Sequence, residues 1–341
     1  MKKLSIILLS ILLAGLLLAG CSGTSEPKGT VENPYKLKLA GQFPADNPAS
    51  IAAENIKKSV EEKSGGRLII QTYPANQLGD AGLVFEGIMD GSVDMGLLYN
   101  SSQYNPMIEI NSLPYLSTNM EDVRKVYAPG SNYYKIYSDI FDELNVKILG
   151  IHVDGLIGIH GVNKEPKNYT DLSKKKDTLV RIPSSDIYKI ATADMGYPTV
   201  TVSFSDLYTA LQTGVCDAAT GQTAIGAYTG FRDVDKYFIP YRAFVECIDY
   251  MINKDAWNAL PPDLQVILQD AINTEVENQF NNVEKLEDEY LQKLADKGVK
   301  ILPITDEERA VMSEYVRATT WPKLYDKFGK DTLDQILQDV K

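Results

Sequence analysis

The sequence predicts an α/β protein of two domains, with one helix long enough to span both. Strand-like and helix-like segments alternate along the chain, and its 341 residues exceed the usual size of one domain. The run from Asp263 to Lys297 lacks Gly and Pro and keeps apolar residues three or four positions apart. At about 1.5 Å per residue this helix is roughly 52 Å long, which is wider than most single domains.

The composition is that of a globular protein with an acidic surface. The chain is 44% hydrophobic and 23% charged, with a formal net charge of −12 at pH 7. It contains no basic stretch interleaved with aromatic residues, so nucleic acid is not an expected partner. The acidic charge does not exclude an anionic ligand, because a binding site depends on its local charge.

The first twenty residues form a targeting segment. Lys2 and Lys3 are followed by the apolar run Ile6–Leu18, which suits a signal peptide and is short for a membrane span. Cys21 comes directly after Leu-Ala-Gly, as in the cleavage box of bacterial lipoproteins; the alternative is an ordinary secretory signal with a chance cysteine. We expect lipidation at Cys21, a flexible tether over 21–34 and an extracytoplasmic body anchored to the membrane.

The first part of the body predicts a parallel strand–helix–strand unit. Tyr35–Ala40 alternates as a half-buried strand, and the chain breaks at Gly41-Gln42-Phe43-Pro44. A helix begins after Asn47 and ends at Gly65-Gly66. Arg67–Tyr73 is the next strand, and a helix between two strands implies that they run parallel.

Further strands and helices follow up to residue 162. Val93–Tyr99 is a short strand, and the loop from Tyr99 to Tyr104 leaves its carboxyl end, where doubly wound sheets bind ligands. Met120–Leu144 is mostly helical. Val146–Val162 is a strand, or two strands separated by Asp154-Gly155.

The histidines and cysteines are predicted to be structural. His152 and His160 lack the Cys or carboxylate cluster that would complete a metal set, so no metal or cofactor is expected. Cys216 and Cys247 are able to pair in an exported protein. We favour two separate buried thiols, since each lies in an apolar run, although spacing alone leaves the disulfide open.

An anion site is predicted around Arg181, which lies in the apolar run Leu179–Ile182. Pro183 closes that run, and Ser184-Ser185 offers a helix N-cap. An arginine at the carboxyl end of a strand, beside a helix N-terminus, suits an anion in α/β folds. The alternative is an ordinary ion pair with a nearby carboxylate.

Two further strands should converge with the one bearing Arg181. Tyr197–Val202 is followed by a helix capped by Ser203 and ended by Gly214. Val215–Gly221 then runs into a loop of small residues that leaves room for a ligand.

Four segments resemble the DctP-like family, the extracytoplasmic solute-binding subunits of tripartite ATP-independent periplasmic (TRAP) transporters. They are EKSGGRLIIQTYPANQLGD (62–80), GSVDMGLL (91–98), the stretch from VRIPSS to DAATG (180–221) and INKDAWNALPPDLQVILQDA (252–271). SFSDLYTALQTGVCDA is the most specific part. The resemblance runs from about Tyr35 to the C-terminus.

The resemblance implies a two-lobed, Venus-flytrap binding protein whose long helix crosses both lobes, and it implies no enzymatic activity. The expected first lobe comprises 35–153 with about 245–285 returning to it, and the second comprises 154–244 with about 286–341. It also implies a carboxylate-bearing solute held by Arg181, whose two parallel donors match a carboxylate. The membrane subunits of a TRAP transporter are the implied partners.

Two departures from the family pattern bear on the solute. Leu156–His160 lacks the second arginine of many acid-binding members, and Gly221 stands at the position of an asparagine. We therefore expect a monocarboxylate with an apolar or aromatic body, with Gly158 and Gly221 leaving room for it. The expected ligand-binding residues are Arg181, Tyr99, Asp80, Tyr104, Asp154, Thr220, Gln222, Phe43 and Tyr188.

Two other functions compete with solute binding. A secreted hydrolase needs a nucleophile with a base, or a metal, and the chain has neither a G-x-S-x-G nor an H-E-x-x-H motif. The sequence leaves open a hydrolase that uses a pair of carboxylates. A lipoprotein that only scaffolds partners would leave a buried arginine at a cleft without purpose and at a cost.

Overall fold

A single mixed sheet forms the centre of the protein in our computed structural model, which describes residues 28–99 and 102–340. Its strands run in the order β2-β1-β3-β8-β4-β7-β5-β6, with β9 beside β8. The strands are β1 Tyr35–Gly41, β2 Leu68–Tyr73, β3 Met95–Leu98, β4 Val146–Gly161, β5 Val180–Ile182, β6 Thr199–Thr201, β7 Ala218–Gln222, β8 Tyr237–Asn253 and β9 Lys300–Ile301.

Helices cover the sheet and connect its strands. The α-helices in the described ranges are α1 Pro48–Lys63, α2 Ala81–Asp90, α3 Met120–Tyr127, α4 Asn132–Asp142, α5 Asp186–Asp194, α6 Phe204–Thr213, α7 Ala224–Phe231, α8 Lys254–Asn258, α9 Pro262–Asp296, α10 Asp306–Thr319, α11 Tyr325–Phe328 and α12 Lys330–Ile336. Short 3-10 helices span Pro106–Ser112, Trp321–Leu324 and Leu337–Val340.

Two long strands join the two halves of the sheet. β4 and β8 pair antiparallel over most of their length, with β3 beside one end of β8 and β7 beside the other end of β4. β1 pairs parallel with β2 and β3, while β5 pairs parallel with β6 and β7. The carboxyl ends of the short parallel strands on each side therefore face the middle of β4 and β8, where open α/β sheets bind ligands.

Local signals explain the boundaries of the first elements. The Asn47 side chain accepts a hydrogen bond from the Ala49 amide at 2.9 Å and caps α1, which has Pro48 at its first position. Gly65 and Gly66 follow α1 with φ of +62° and +82°, a conformation that glycine adopts without strain. β1 and β2 then pair in parallel, as the sequence predicted.

The long helix predicted from Asp263 to Lys297 is present as α9, which has 35 residues. In the N-terminal half of α9, Glu275 accepts a hydrogen bond from Asn55 of α1 at 3.1 Å. Near its C-terminal end, the Tyr290 ring packs edge-on against Tyr228 of α7, with centroids 5.5 Å apart. α9 therefore contacts a helix that follows β1 in one half of the sheet and a helix that follows β7 in the other half.

The other predicted elements are largely confirmed. Val146–Val162 forms one strand rather than two, because a bulge at Asp154 absorbs the irregularity without ending the strand. The predicted helix over Met120–Leu144 is split into α3 and α4. Pro129-Gly130 lies between them, and proline removes a backbone donor. Ser203 and Gly214 bound α6 as predicted, with Gly214 left-handed.

The helix N-cap expected at Ser184-Ser185 is present. Ser185 is the N-cap residue of α5, but its side chain makes no capping hydrogen bond. Its Oγ is buried and has no hydrogen-bond partner among the described atoms. The helix N-terminus beside Arg181 is therefore present, without a side-chain capping hydrogen bond.

Cys216 and Cys247 are both buried and free, which confirms two separate thiols. The signal segment, Cys21 and the first part of the tether lie outside the described residues. No helix within residues 28–99 and 102–340 has the length and apolar character needed to cross a bilayer.

Candidate ligand-binding site

Arg181 lies at the centre of the second half of the sheet, near the carboxyl end of β5. β6 and β7 flank β5, both in parallel, so that Arg181 pairs with Val200 on one side and Ala219 on the other. This confirms the expected convergence of the strands that bear Arg181, Thr201 and Thr220. The Arg181 side chain is only 3% exposed.

The Arg181 guanidinium is bonded to backbone oxygens rather than to an acid. Its Nε donates to the Val202 carbonyl at 2.8 Å, and its Nη1 donates to the Thr220 carbonyl at 3.2 Å. Burial lowers the pKa of Arg181 from its usual range. In the part of the chain that the structure describes, no carboxylate lies within ion-pair distance of this guanidinium. These two hydrogen bonds use two of the five N–H donors of the guanidinium.

Aromatic rings continue from Arg181 towards β8. The Tyr188 ring, from the first turn of α5, stacks on Phe244 with centroids 4.1 Å apart and planes 20° apart. Tyr188 is close enough to both Arg181 and Glu246 for each to influence its pKa. Phe244 and Glu246 are two residues apart on β8 and therefore share one face of the strand.

A β-bulge places Asp154 beside Glu246. In the β4–β8 ladder, Val153 pairs with Cys247 and Gly155 pairs with Glu246, so Asp154 is the extra residue. Such an insertion redirects a side chain out of the regular alternation. Gly155 has φ of +142°, a conformation that a residue with a Cβ rarely adopts. The bulge therefore depends on Gly155 and brings two carboxyl groups together in the middle of the long strands.

The two carboxyl groups perturb each other. Burial raises the pKa of Glu246, and the neighbouring Asp154 raises it further, while interactions with Tyr99 and Thr223 oppose the shift. Burial also raises the pKa of Asp154. Asp154 is 5% exposed and Glu246 is 9% exposed. Two like charges in such a site do not ionise together readily, so the pair tends to retain a proton.

Asp154 also faces His152, which precedes it by two residues on β4. His152 Nε2 lies 3.9 Å from Asp154 Oδ1, beyond hydrogen-bond distance. Neither atom has a hydrogen-bond partner among the described atoms. Burial lowers the pKa of His152 to about 4, so the ring is neutral near pH 7.

Tyr99 reaches the carboxyl pair from the first half of the sheet. Its phenol hydrogen-bonds Glu246. Its ring meets Phe43 edge-on with centroids 5.1 Å apart, and its amide donates to Gln42 Oε1 at 3.0 Å. Phe43 and Tyr99 follow β1 and β3 directly, so the carboxyl ends of these strands contribute to the same cluster. We call Phe43, Tyr99, Asp154, Arg181, Tyr188, Phe244 and Glu246 the cleft cluster.

Two expected site residues are not part of the cleft cluster. Asp80 is exposed and caps α2, accepting from the Leu83 amide at 2.9 Å. Tyr104 packs on Phe85 with centroids 5.5 Å apart, and its hydroxyl bonds to Glu86. Both residues make their contacts with α2, because a capping role and an aromatic contact hold them there.

Thr220 and Gln222 lie near Arg181, but their side chains bond within the protein. The Thr220 hydroxyl donates to the Gly158 carbonyl at 3.0 Å, and its own carbonyl accepts from Arg181. Gln222 Nε2 donates to the carbonyl of Gly221 at 2.5 Å. Thr220 therefore holds Arg181 in place through its backbone.

The two glycines differ in the room they leave. A Cβ on Gly158 would lie 2.5 Å from the Ile239 carbonyl, so Gly158 is packed against β8 and the expectation of room there is wrong. A Cβ on Gly221 would lie 3.5 Å from Arg181 Nη1, at ordinary contact distance. Gly221 has φ of +105° and brings the chain past the guanidinium without a side chain in between.

Glu246, Phe244 and Thr223 were missed by the sequence reasoning. Glu246 interrupts the apolar run RAFVECIDYMIN, and a lone acid in a buried strand is a signal that was available. Phe244 carried no such signal, because an aromatic residue in a strand is usual. Thr223 caps α7, where it accepts from the Gly226 amide.

The histidines fit structural roles. His160 Nδ1 lies 2.8 Å from Asp235 Oδ1, and both side chains are fully buried. Within residues 28–99 and 102–340, no group of three or more His, Cys, Asp or Glu side chains is arranged to hold a metal ion.

Comparison with known proteins agrees with this architecture. The family model described as bacterial extracellular solute-binding protein, family 7 (DctP) matches residues 39–327. The chain belongs to this family. It is 25% identical over 309 residues to the C4-dicarboxylate-binding periplasmic protein DctP of Rhodobacter capsulatus, covering 88% of this chain and 89% of that protein.

A second relative in the family is named for a different solute. The monocarboxylate 2-oxoacid-binding periplasmic protein of a Nostoc species is 25% identical over 302 residues, covering 84% of this chain and 78% of that protein. Family membership therefore leaves the solute of this chain to be inferred from its own residues.

Solved structures share the fold. A TRAP periplasmic solute-binding protein of Desulfovibrio salexigens, with bound orotic acid, has a TM-score of 0.78 at 21% identity, covering 89% of this chain and 98% of that chain. One from Haemophilus influenzae, with bound L-gulonate, has a TM-score of 0.75 at 23% identity, covering 89% and 99%. The two-lobed α/β fold expected from the sequence is confirmed.

Proposed function

We propose that this protein is an extracytoplasmic solute-binding lipoprotein that captures a small organic monocarboxylate between its lobes and delivers it to the membrane subunits of a TRAP transporter. The proposal depends on the burial of Arg181 and on its hydrogen bonds. This arginine is buried at the carboxyl end of β5 without an acidic partner in the described ranges. A buried charge is costly unless it is paired, and a bound carboxylate supplies two oxygens for its parallel donors.

We propose that the lobes divide where β4 and β8 pass through the cleft cluster. The first lobe then comprises 35–153 with about 245–285, and the second 154–244 with about 286–341. The position of the Asp154 bulge, next to the pairing of Gly155 with Glu246, supports a boundary there. Phe43 and Tyr99 belong to the first lobe, and Arg181 and Tyr188 to the second, so lobe closure brings both sets onto the ligand.

A monocarboxylate with an apolar or aromatic body suits the walls of the site. Tyr188 and Phe244 present stacked rings beside Arg181, and Tyr99 and Phe43 present another pair. Asp154 and Glu246 also lie in the cleft cluster. If the ligand carried another carboxylate, these two acids would repel it. The site thus favours one carboxylate per ligand.

The membrane anchor follows from the lipoprotein box at Cys21. Replacing Cys21 by Ser should abolish incorporation of a labelled fatty acid into the protein, because the lipidated sulfur is lost. Undiminished labelling of the variant would contradict lipid anchoring at this residue.

A thermal-shift screen tests the binding proposal. A panel of monocarboxylates with aromatic or aliphatic bodies should raise the melting temperature, because a ligand that binds only the folded state stabilises it by mass action. The same acids should leave Arg181→Ala unshifted, while Arg67→Ala, a surface arginine before β2, should respond like the wild type. Strong stabilisation by C4-dicarboxylates with none by monocarboxylates would refute the preference, and consumption of the ligand would indicate an enzyme.

A further inference from the structure

We propose that the ligand is a zwitterion, with a carboxylate bound by Arg181 and a protonated amine bound by Asp154 and Glu246. This inference rests on the proposed function and specifies the solute class of the same site. It follows from the position of two buried acids at the far end of the aromatic walls that begin at Arg181.

The cleft cluster has opposite charges at its two ends. Arg181 donates to the Val202 and Thr220 carbonyls and keeps further donors for an anion. Asp154 and Glu246 lie side by side because the β4 bulge inserts Asp154 opposite Glu246. Tyr188 is close enough to both Arg181 and Glu246 for each to influence the pKa of its phenol, so its ring lies between the two ends. A ligand that carries both charges complements both ends.

The buried and unpaired Oδ1 atom of Asp154 also points to a ligand. Asp154 is 5% exposed, and its Oδ1 has no hydrogen-bond partner among the described atoms. The Nε2 atom of the neutral His152 ring is 3.9 Å from Oδ1, which is too far for a hydrogen bond. A buried acceptor without a donor costs free energy, and an N–H donor of a bound ligand removes that cost.

An ammonium group suits the acidic end better than a hydroxyl group. A hydroxyl donates one hydrogen bond but leaves the repulsion between Asp154 and Glu246, whereas a cation relieves it. The faces and edges of Tyr99, Phe43, Tyr188 and Phe244 border the same region, and aromatic rings attract ammonium groups through their quadrupoles. A metal ion is less suited, because the described residues offer no group of three ligating side chains.

Calorimetric titration with matched acids tests the proposal. Each set contains an amino acid, the corresponding hydroxy acid and the unsubstituted acid on one carbon skeleton, with the substituent placed from carbon 2 to carbon 5. The proposal predicts that the tightest amino acid binds at least tenfold more tightly than its unsubstituted counterpart and more tightly than its hydroxy counterpart. Equal or tighter binding of the unsubstituted or hydroxy acids throughout would overturn it.

Substitutions of Asp154 and Glu246 test whether these residues bind the amine of the ligand. Glu246→Gln and, independently, Asp154→Asn should reduce the preference for the amino acid over the unsubstituted acid to less than threefold. The readout is the ratio of the two affinities within each variant, so a change that weakens both acids equally cancels. Glu284→Gln, an exposed acid on α9, is the matched control and should behave as the wild type. A full amino preference in both folded variants would overturn the assignment of the amine to this pair.

Failure of the inference and failure of the proposed function give different results. If unsubstituted acids bind at least as tightly as the amino acids and Arg181→Ala abolishes that binding, the carboxylate proposal stands and only the zwitterion is refuted. If no acid in any set binds to the wild-type protein, both are refuted. If amino acids bind but Arg181→Ala retains their affinity, the carboxylate lies elsewhere and both assignments fail.

Discussion

At the scale of single residues, Arg181 has the environment of a carboxylate receptor. Its guanidinium is held by the carbonyl groups of Val202 and Thr220, which orient it without neutralising its charge. Lysine provides one compact charge and lacks the two parallel donors of arginine. Replacing Arg181 by lysine therefore tests the geometry of the donors separately from the positive charge.

Arg181→Ala should weaken binding of the carboxylate by about 2–5 kcal/mol, on the scale of truncating one partner of a buried charge pair. Arg181→Lys should recover little of that loss, because it retains the charge without the bidentate geometry. Calorimetric titration of both variants with the tightest acid measures these losses. Unchanged affinity in Arg181→Ala would remove this residue from the site.

Glu246 is one buried group through which stability should depend on pH. Its pKa is raised by burial and by Asp154, so the folded state binds a proton more tightly than the unfolded state does. Stability on this account is present at acid pH and is lost as pH rises from the unfolded value, about 4.3, through the raised folded value. Tyr99 and Tyr188 also face this carboxyl and stay protonated in that range, since burial raises the pKa of each phenol.

Glu246→Gln removes this titration and should therefore gain stability relative to the wild type as the pH rises. We expect the difference in unfolding free energy between variant and wild type to grow by about 1–3 kcal/mol between pH 5 and pH 9. Urea unfolding of the ligand-free proteins at both pH values measures it. Glu62→Gln, an exposed acid at the end of α1, should show a constant difference, and a constant difference for Glu246→Gln would contradict the coupling.

At the scale of elements, the bulge in β4 is the feature that brings Asp154 beside Glu246 in the proposed site. It depends on Gly155, whose φ of +142° suits glycine, and a Cβ there would lie 3.0 Å from Thr223 Cγ2. Replacing Gly155 thus imposes both backbone strain and a close contact at the same point.

Gly155→Ala should destabilise the protein by about 1–3 kcal/mol, the cost of a side-chain-bearing residue in a sparsely populated conformation. It should also weaken ligand binding, because the Asp154 side chain shifts with the bulge. Gly130→Ala is the control, since Gly130 has φ of +96° but open space around its Cβ. Urea unfolding and titration of both variants test this, and equal effects of the two substitutions would argue against a specific role for the bulge.

This bulge also explains what the sequence did not reveal. Asp154-Gly155 was recognised as an irregularity within a strand, and Asp154 was expected in the site. Its neighbour Glu246 was not, because pairing across β4 and β8 depends on a register that the bulge shifts. Arg181, Tyr188 and Tyr99 were predictable, since each lies at or just after the carboxyl end of a short apolar strand or in the helix that follows it.

Other residues show why position along the chain is not enough. Asp80 follows a turn as a binding residue might, but it caps α2. Gly158 was expected to leave room for a ligand, yet it packs against the Ile239 carbonyl. In both cases the local tertiary contact decides the role, and such contacts have no signature in a single sequence.

At the scale of the whole molecule, two long strands and one long helix connect the lobes. β4 and β8 carry the acidic end of the site, and α9 contacts both α1 and α7. The absence of Gly and Pro made α9 predictable to within a residue at each end. The lobes share these connections, so a ligand held between them should stabilise the molecule as one unit.

A ligand at 100 times its dissociation constant should therefore raise the unfolding free energy of the wild type by about 2.7 kcal/mol. The gain should rise with the logarithm of ligand concentration, and small-angle X-ray scattering should show a smaller radius of gyration as the lobes close. Arg181→Ala should show neither change at the same concentrations. Stabilisation of the wild type without compaction would contradict binding between the lobes.

A crystal structure of the wild-type protein with its tightest-binding acid tests the central claim most directly. The account predicts both carboxylate oxygens within about 3 Å of Arg181 guanidinium nitrogens, as in a bidentate charge-assisted pair. It also predicts the opposite end of the ligand between Asp154 and Glu246. A carboxylate bound away from Arg181, or a ligand outside the cleft cluster, would contradict the account.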